Sequence, residues 1–150
     1  MGTSRYLCVA LVISAFVFGC NASTNEVKTY DAVTTVINLI ATPEHFFNKK
    51  IEVDGVFVGF HQDRLYLSSE HAENLISSLS ISVLDDTETE EGSLSFSSCS
   101  GEWVKLWATF IPAQQPGIST EQGRLVVDRA MLHKDGKTCW KRTEKSRFIE

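Results

Sequence analysis

The stretch TPEHFFNKKIEVDGVFVGFH, residues 42–61, decides the fold that we predict for this chain. It begins with a helical turn, because Thr42 is a good N-cap and Pro43 suits the first helical position. Asn48 ends this turn, since Asn tolerates a left-handed backbone conformation. From Ile51 onward apolar and polar side chains alternate, which predicts a strand with one buried face.

Gly55 interrupts this alternation, and Val56-Phe57-Val58 after it places apolar side chains on both faces. A glycine at such a point is typical of a β-bulge or of a sharp coil in the strand. We therefore expect one long strand that serves two sheets of a small barrel.

The rest of the chain predicts further strands and two short helices. Apolar residues at helical spacing follow Asp31, a suitable N-cap, and predict an N-terminal helix up to residue 40. A second short helix is expected over residues 69–76, with Ser68 or Ser69 as its cap. Strands are expected from residue 51 and over residues 64–68, 79–83, 103–111 and 123–133. Five strands without βαβ alternation predict a mainly β fold, a small five-stranded barrel.

Residues 1–19 predict a signal peptide. Arg5 precedes an apolar run over residues 6–18, which is too short to remain as a membrane helix. The run ends in VFGC, residues 17–20, which resembles the lipobox of bacterial lipoproteins. The resemblance implies that Cys20 is the lipidated mature N-terminus. Because Asn21 is not the Asp that retains lipoproteins in the inner membrane, it also implies an outer-membrane anchor facing the periplasm. The alternative is an ordinary secretory peptide and a periplasmic protein.

The predicted organisation is a signal peptide over residues 1–19, a tether over 20–28, a barrel domain over 29–134 and a basic C-terminal tail over 135–150. The formal charge of −5 argues against a general nucleic-acid-binding protein, so no nucleic-acid partner is expected. An acidic block lies at residues 85–91, and a basic cluster follows residue 134. Either could be a docking surface, although a solvated loop and a frayed tail are the simpler interpretation.

The first strand and the turn before it resemble a family of small bacterial domains of unassigned function that are taken to be OB-like. The shared pattern is an apolar helix end, a Pro-Glu turn with an aromatic, a Lys pair and an apolar-x-apolar-x-Gly strand. Here it covers Leu39, Ile40, Pro43, Glu44, Phe46, Asn48, Lys49, Lys50, Ile51, Val53 and Gly55. The later segments LYLS, residues 65–68, and EHAE, residues 70–73, also match. The resemblance implies an OB-like barrel and supplies neither a catalytic residue nor a cofactor. The short helix follows the second strand here, which departs from the usual OB order.

Trp103, Lys105 and Trp107 alternate along the fourth predicted strand and share one face. OB-folds use exposed aromatic residues on a barrel face to stack bases or sugars. The alternative is that this face lies beneath the N-terminal helix as a second part of the core. Together with the end of the first strand, from Phe57 to His61, the face is our candidate contact surface for a protein or glycan of the envelope.

The sequence contains no G-x-S-x-G elbow, phosphate-binding glycine loop, H-E-x-x-H or C-x-x-C motif. We therefore predict a non-enzymatic binding module without a metal or cofactor. The alternative is a periplasmic ligand- or metal-binding protein, or a hydrolase, that uses histidines such as His61 and His71. The spacing of candidate ligands within the predicted helix segment EHAE, residues 70–73, does not favour that alternative. Side chains two residues apart on a helix do not converge on one ion.

Cys99 and Cys139 are predicted to form a disulfide. Of the four cysteines, Cys8 leaves with the signal peptide and Cys20 takes the lipid, so two remain in an oxidising compartment. The strands over residues 103–111 and 124–133 should form an antiparallel hairpin, which brings the residues beyond its open end close together. The alternative is two independent thiols.

Overall fold

The computed structural model describes residues 29–59, 62–87, 92–113 and 121–149. The predicted signal peptide, most of the predicted tether and Cys20 lie outside this part of the chain. The described elements, in chain order, are β1 (Ala32–Thr35), α1 (Val36–Ala41), β2 (Lys49–Val58), β3 (Arg64–Tyr66), α2 (Ser69–Glu73), β4 (Ser80–Leu84), β5 (Glu102–Pro112), β6 (Gly123–Leu132) and β7 (Thr138–Lys141). Two 3₁₀ turns, Pro43–His45 and Ser77–Leu79, precede β2 and β4. None of the described helices has the length and apolar character needed to cross a membrane.

Five strands close into a barrel in the order β2-β3-β4-β6-β5, and β5 pairs with β2 to complete the ring. The neighbours β4 and β6 are parallel, and the other neighbours in the ring are antiparallel. The predicted fold class is confirmed: the chain forms a mainly β, five-stranded OB-like barrel with two short helices. As expected, α2 lies between the second and third strands of the barrel.

Alternating side chains of the long strands fill the barrel. On β5 the inward side chains are those that the sequence predicts: Val104, Leu106, Ala108 and Phe110, all fully buried. The same core includes Leu39 of α1. Burying a large aliphatic or aromatic side chain contributes about 1.5–3 kcal/mol, so this shared core stabilises the barrel and positions its outer face.

The N-terminal helix begins at Val36 and not directly after Asp31, which corrects the prediction. The segment between them forms β1, parallel to β2, and the hydroxyl of Thr35 caps the first turn of α1. The carboxylate of Asp31 instead accepts a hydrogen bond from the backbone N–H of Lys50 at 2.8 Å. Val33 is 75% exposed on β1, so its helical spacing from the later apolar residues is coincidental.

Gly55 lies where β2 exchanges one neighbouring strand for another. The pairing with β1 ends at Asp54, and the pairing with β3 begins at Val56. One long strand therefore pairs first with β1 and then with β3 on the same edge, within a single sheet. The predicted bulge is wrong, because β2 pairs with β5 in one unbroken register along nearly its whole length.

The apolar run Val56-Phe57-Val58 keeps the alternation of the strand. Phe57 is fully buried in the barrel core, whereas Val56 packs outside the barrel with Tyr66 and with Ala72 of α2. Both faces of β2 are apolar here because α2 covers the outer one.

Residues 135–149 are folded against the barrel, in contrast to the tail that the sequence analysis assigned to residues 135–150. β7 pairs antiparallel with β6, and Ser146 is only 6% exposed. The Ser146 hydroxyl donates a hydrogen bond to Asp86, and Arg142 forms an ion pair with the same carboxylate. The acidic block and the basic cluster therefore contact each other, since Asp86 belongs to one and Arg142 to the other.

The predicted disulfide between Cys99 and Cys139 is confirmed, with a Cα–Cα distance of 5.4 Å. Cys99 precedes β5, and Cys139 lies within β7, which pairs with β6. The bond thus joins the segment before the β5–β6 hairpin to the strand after it.

Candidate functional site

The outer face of β2, β5 and β6 contains most of the residues that the sequence analysis selected. Trp103, Lys105 and Trp107 share this face of β5, since the side chains between them point into the core. Their exposure differs strongly: Trp103 is 40% exposed, and Trp107 is 7% exposed. Only one of the two indoles is therefore open to a partner.

Trp107 is covered by neighbouring side chains of the sheet. The guanidinium of Arg129 on β6 lies 3.7 Å from the centroid of the indole, and the ring of Tyr30 lies 6.3 Å away. The indole Nε1 donates a hydrogen bond to Glu52 at 2.9 Å. Trp107 is therefore not a stacking platform for bases or sugars, which corrects that prediction. The residues that cover it belong to strands and to the segment before β1, so the covering helix of the alternative interpretation is not what buries it.

Lys105 is held in place by Glu52. Its Nζ lies 2.5 Å from Glu52 Oε1. This hydrogen bond raises the pKa of Lys105, and the charges of Glu52 and Asp54 add to the increase against the opposing effect of burial. Lys105 is therefore charged at neutral pH and already paired with Glu52. It stabilises the arrangement of the outer face and is not a free cation for a partner.

Trp103 keeps an exposed surface while its position is fixed from one side. The ring of His133 packs edge-on against it at a centroid distance of 6.3 Å. The backbone N–H of His133 donates to the Trp103 carbonyl at 3.0 Å, and His133 Nε2 lies 2.7 Å from Asp54 Oδ1. The indole consequently presents an ordered apolar surface beside polar groups.

The remaining two residues of the predicted contact surface are Phe57 and His61. Phe57 is completely buried, because the unbroken alternation of β2 points it into the barrel, so its assignment to the surface is wrong. His61 lies outside the described residues, and its role stays a prediction.

The described histidines occupy separate places. His71 Nδ1 lies 2.8 Å from the hydroxyl of Ser68, which also caps α2, and the ring of His133 packs against Trp103. Within the ranges that the structure describes, no group of three or more His, Cys, Asp or Glu side chains could hold a metal ion. No described contact therefore favours the histidine-based alternative.

A basic cavity of about 700 Å³ adjoins the Trp107 end of the outer face. Strand register assembles it: β2 places Lys50 beside Thr109 of β5, and β7 places Lys141 beside Arg129 of β6. The cationic side chains that line it are Lys50, Arg129, Lys141, Arg142 and Lys145. Sequence reasoning missed this cavity because these residues come from three strands and the C-terminal segment; the excess of Lys and Arg after residue 134 was the available signal.

Two residues that line the basic cavity each have a buried polar atom with no hydrogen-bond partner among the described residues. These atoms are Thr109 Oγ1 and Arg129 Nε, and Thr109 is only 5% exposed. An unpaired buried polar group costs about 1–3 kcal/mol. Tyr30 lines the same cavity. Burial raises its pKa and the carboxylate of Asp128 adds to the increase, so the phenol stays protonated and able to donate.

No protein-family model, curated protein or solved structure matches this chain. The resemblances to bacterial lipoproteins and to the OB-like family of unassigned function accordingly stay predictions. The OB-like fold itself rests on the order and direction of the strands in the barrel.

Proposed function

We propose that this chain is a non-enzymatic binding module that is tethered to the outer membrane of a bacterium and contacts a protein or glycan of the cell envelope. Cys20 is the lipidated residue, and residues 21–28 link the anchor to the barrel. The proposed location at the outer membrane is supported by the short apolar leader that ends in VFGC. The binding role is supported by the exposed, ordered side chain of Trp103.

The Trp103 surface, which we define as Trp103, His133, Asp54, Lys134 and Glu102, has the composition of a protein interface. An indole offers a large apolar area with few rotamers, and Trp is enriched among the residues that dominate binding. Two polar pairs lie next to it: His133, which packs against the indole, with Asp54, and Lys134 Nζ with Glu102 Oε1 at 2.5 Å, formed by the residues that follow His133 and precede Trp103 in the chain. An apolar centre with a polar rim is the usual anatomy of an interface.

Capture from envelopes tests the contact surface. The tagged full-length protein, Trp103→Ala and Phe96→Ala are expressed in the native host, cross-linked in the intact envelope and recovered in detergent. We expect Trp103→Ala to reduce recovery of the cross-linked partner about tenfold, since truncating a central aromatic residue commonly costs that much binding. Phe96→Ala is the matched control, because Phe96 is also exposed, at 61%, but lies on the loop before β5. Equal recovery by all three proteins would exclude the Trp103 surface.

Membrane fractionation tests the anchor. We expect Cys20→Ser to abolish incorporation of labelled fatty acid and to leave the protein either unprocessed or released from membranes, because a protein without acyl chains loses its lipid anchor. Cys8→Ser, within the predicted signal peptide, should still be labelled and anchored. Undiminished labelling of the Cys20→Ser variant would refute lipidation at this residue.

A further inference from the structure

The basic cavity has an excess of positive charge that its own residues do not neutralise. Five cationic and two anionic side chains line it. Arg142 is already paired with Asp86 and lies 3.9 Å from Asp128. Four further cations, at residues 50, 129, 141 and 145, have no ion pair within the described ranges. A cavity of this kind attracts anions and strengthens their binding wherever water is partly excluded.

Hydrogen-bond donors beside these cations could orient a bound anion. Thr109 Oγ1 and Arg129 Nε, which belong to residues that line the cavity, are buried without partners among the described residues, and the protonated phenol of Tyr30 lines the same space. The stacking of Arg129 on Trp107 holds its guanidinium plane in place. Preorganised donors that lack a partner mark a place where a ligand oxygen would relieve the cost of burial.

The number and placement of these groups favour a phosphate over a carboxylate. The donors come from β5, β6 and the segment before β1, while Lys50 and Lys141 come from β2 and β7. Donors on several sides suit the three terminal oxygens of a phosphate monoester, whereas a carboxylate offers two oxygens in one plane. The excess charge also matches a dianion. A volume of about 700 Å³ exceeds what phosphate alone requires and lies in the range of small-molecule sites.

We propose that the basic cavity binds the phosphate monoester group of a small molecule or lipid, with Arg129, Thr109, Lys50 and Lys141 as its ligands. This site does not depend on the proposed function, since the Trp103 surface uses other residues. A soluble phosphate ester and a lipid with a phosphate monoester headgroup present the same group, and the experiment separates these two sources.

Isothermal titration calorimetry on the full-length protein in non-ionic detergent tests the site. The probes are glycerol 3-phosphate, detergent micelles that contain phosphatidic acid, and acetate as a monoanionic comparison. We expect saturable binding of one or both phosphate probes with a Kd below about 1 mM, and binding of acetate at least tenfold weaker. Binding at least tenfold tighter to phosphatidic acid than to glycerol 3-phosphate would assign the site to a lipid headgroup. Comparable binding of both would assign it to the phosphate group alone.

Paired charge variants localise the binding. The double variant Lys50→Gln, Lys141→Gln removes two exposed cations of the cavity, and Lys49→Gln, Lys137→Gln removes two exposed cations that do not line it. We expect the first pair to weaken phosphate binding at least tenfold and the second to change it less than about twofold. Thr109→Val should weaken binding without lowering the melting temperature, because it removes an unpaired buried hydroxyl at nearly constant volume.

Three results would overturn the site. The first is the absence of saturable binding of either phosphate probe up to about 10 mM. The second is an equal loss of affinity in the two charge pairs, which would indicate a general effect of net charge. The third is an affinity for acetate equal to that for glycerol 3-phosphate. None of these measurements substitutes Trp103 or Cys20. A negative result would therefore refute the phosphate site without refuting the proposed function.

Discussion

Gly55 shows how closely two strands approach each other in a barrel of this size. A Cβ at this position would lie 2.6 Å from the carbonyl oxygen of Tyr66 and 2.8 Å from Cγ of Leu65. The carbonyl belongs to the backbone of β3 and cannot retreat without disturbing the pairing with β2. Space, and not a left-handed backbone, is therefore what requires glycine here.

We expect Gly55→Val to lower the free energy of unfolding by about 1–3 kcal/mol, because overpacking a tight contact forces the backbone to shift. Gly55→Ala should give a smaller decrease in the same direction. Chemical denaturation followed by tryptophan fluorescence measures both. A Gly55→Val variant as stable as the parent would show that β3 can move away at no cost.

Residues with a local conformational signature could be predicted from the sequence. Asn48 adopts the expected left-handed conformation, with φ of 60°, and Ser68 caps α2 as expected. The unpaired atoms of Thr109 and Arg129 could not be predicted, because their surroundings depend on strands that are distant in sequence. The same holds for the burial of Trp107, which Arg129 and its neighbours produce.

At the scale of elements, the five strands of the barrel could be predicted, and the two strands outside the ring, β1 and β7, could not. β2, β5 and β6 have ten or eleven residues each, enough for alternation to be evident. β1 and β7 have four residues each, AVTT and TCWK, and neither sequence alternates clearly between apolar and polar residues. Both pair with strands of the barrel, so the tertiary environment decides their conformation.

Asp86 links the C-terminal segment to the barrel through its contacts with Ser146 and Arg142. Burial alone would raise its pKa, but hydrogen bonds from Ser146 and Arg142 and the charge of Arg142 outweigh burial and hold the pKa below its ordinary value of 3.8. A carboxylate whose pKa is lowered on folding stabilises the fold at a pH above the ordinary value. That stabilisation is lost as the pH falls through the pKa of the folded state.

We expect Asp86→Asn to lower the melting temperature at neutral pH and to differ less from the parent as the medium is acidified below about pH 4. The parent loses the ionised carboxylate in acid, whereas the variant has none to lose. Melting curves at several pH values measure the difference. Glu73→Gln, which removes an exposed carboxylate of α2, should follow the parent at each pH. A constant difference between Asp86→Asn and the parent would contradict the lowered pKa.

At the scale of the whole molecule, the five-stranded barrel and the hairpin of β5 with β6 could be predicted, but the pairings that close the ring could not. Closure requires β2 to pair with β5 and β4 to lie parallel to β6, and neither contact leaves a local signal. The disulfide could be predicted from the expected hairpin and from the prediction that the chain is exported. The basic cavity could not, since it requires the closed barrel and β7 together.

Removing the disulfide should destabilise the molecule as a whole. We expect the double variant Cys99→Ala, Cys139→Ala to lose about 3–4 kcal/mol of unfolding free energy, because the unfolded chain gains the entropy of an open loop. Denaturation of the parent after treatment with a thiol reductant should give a matching decrease. A parent protein whose denaturation curve is insensitive to the reductant would contradict a bond that stabilises the fold.

The bond between Cys99 and Cys139 also makes a covalent ring of the chain between these residues. A protease that cuts once in the connection between β5 and β6 leaves two polypeptides that are joined through sulfur and still contain the two whole strands. We therefore expect a nicked molecule to migrate as one species on a non-reducing gel and as two after reduction. A cleavage site inserted in the connection between β5 and β6 should therefore leave the two halves of the protein joined until the disulfide is reduced.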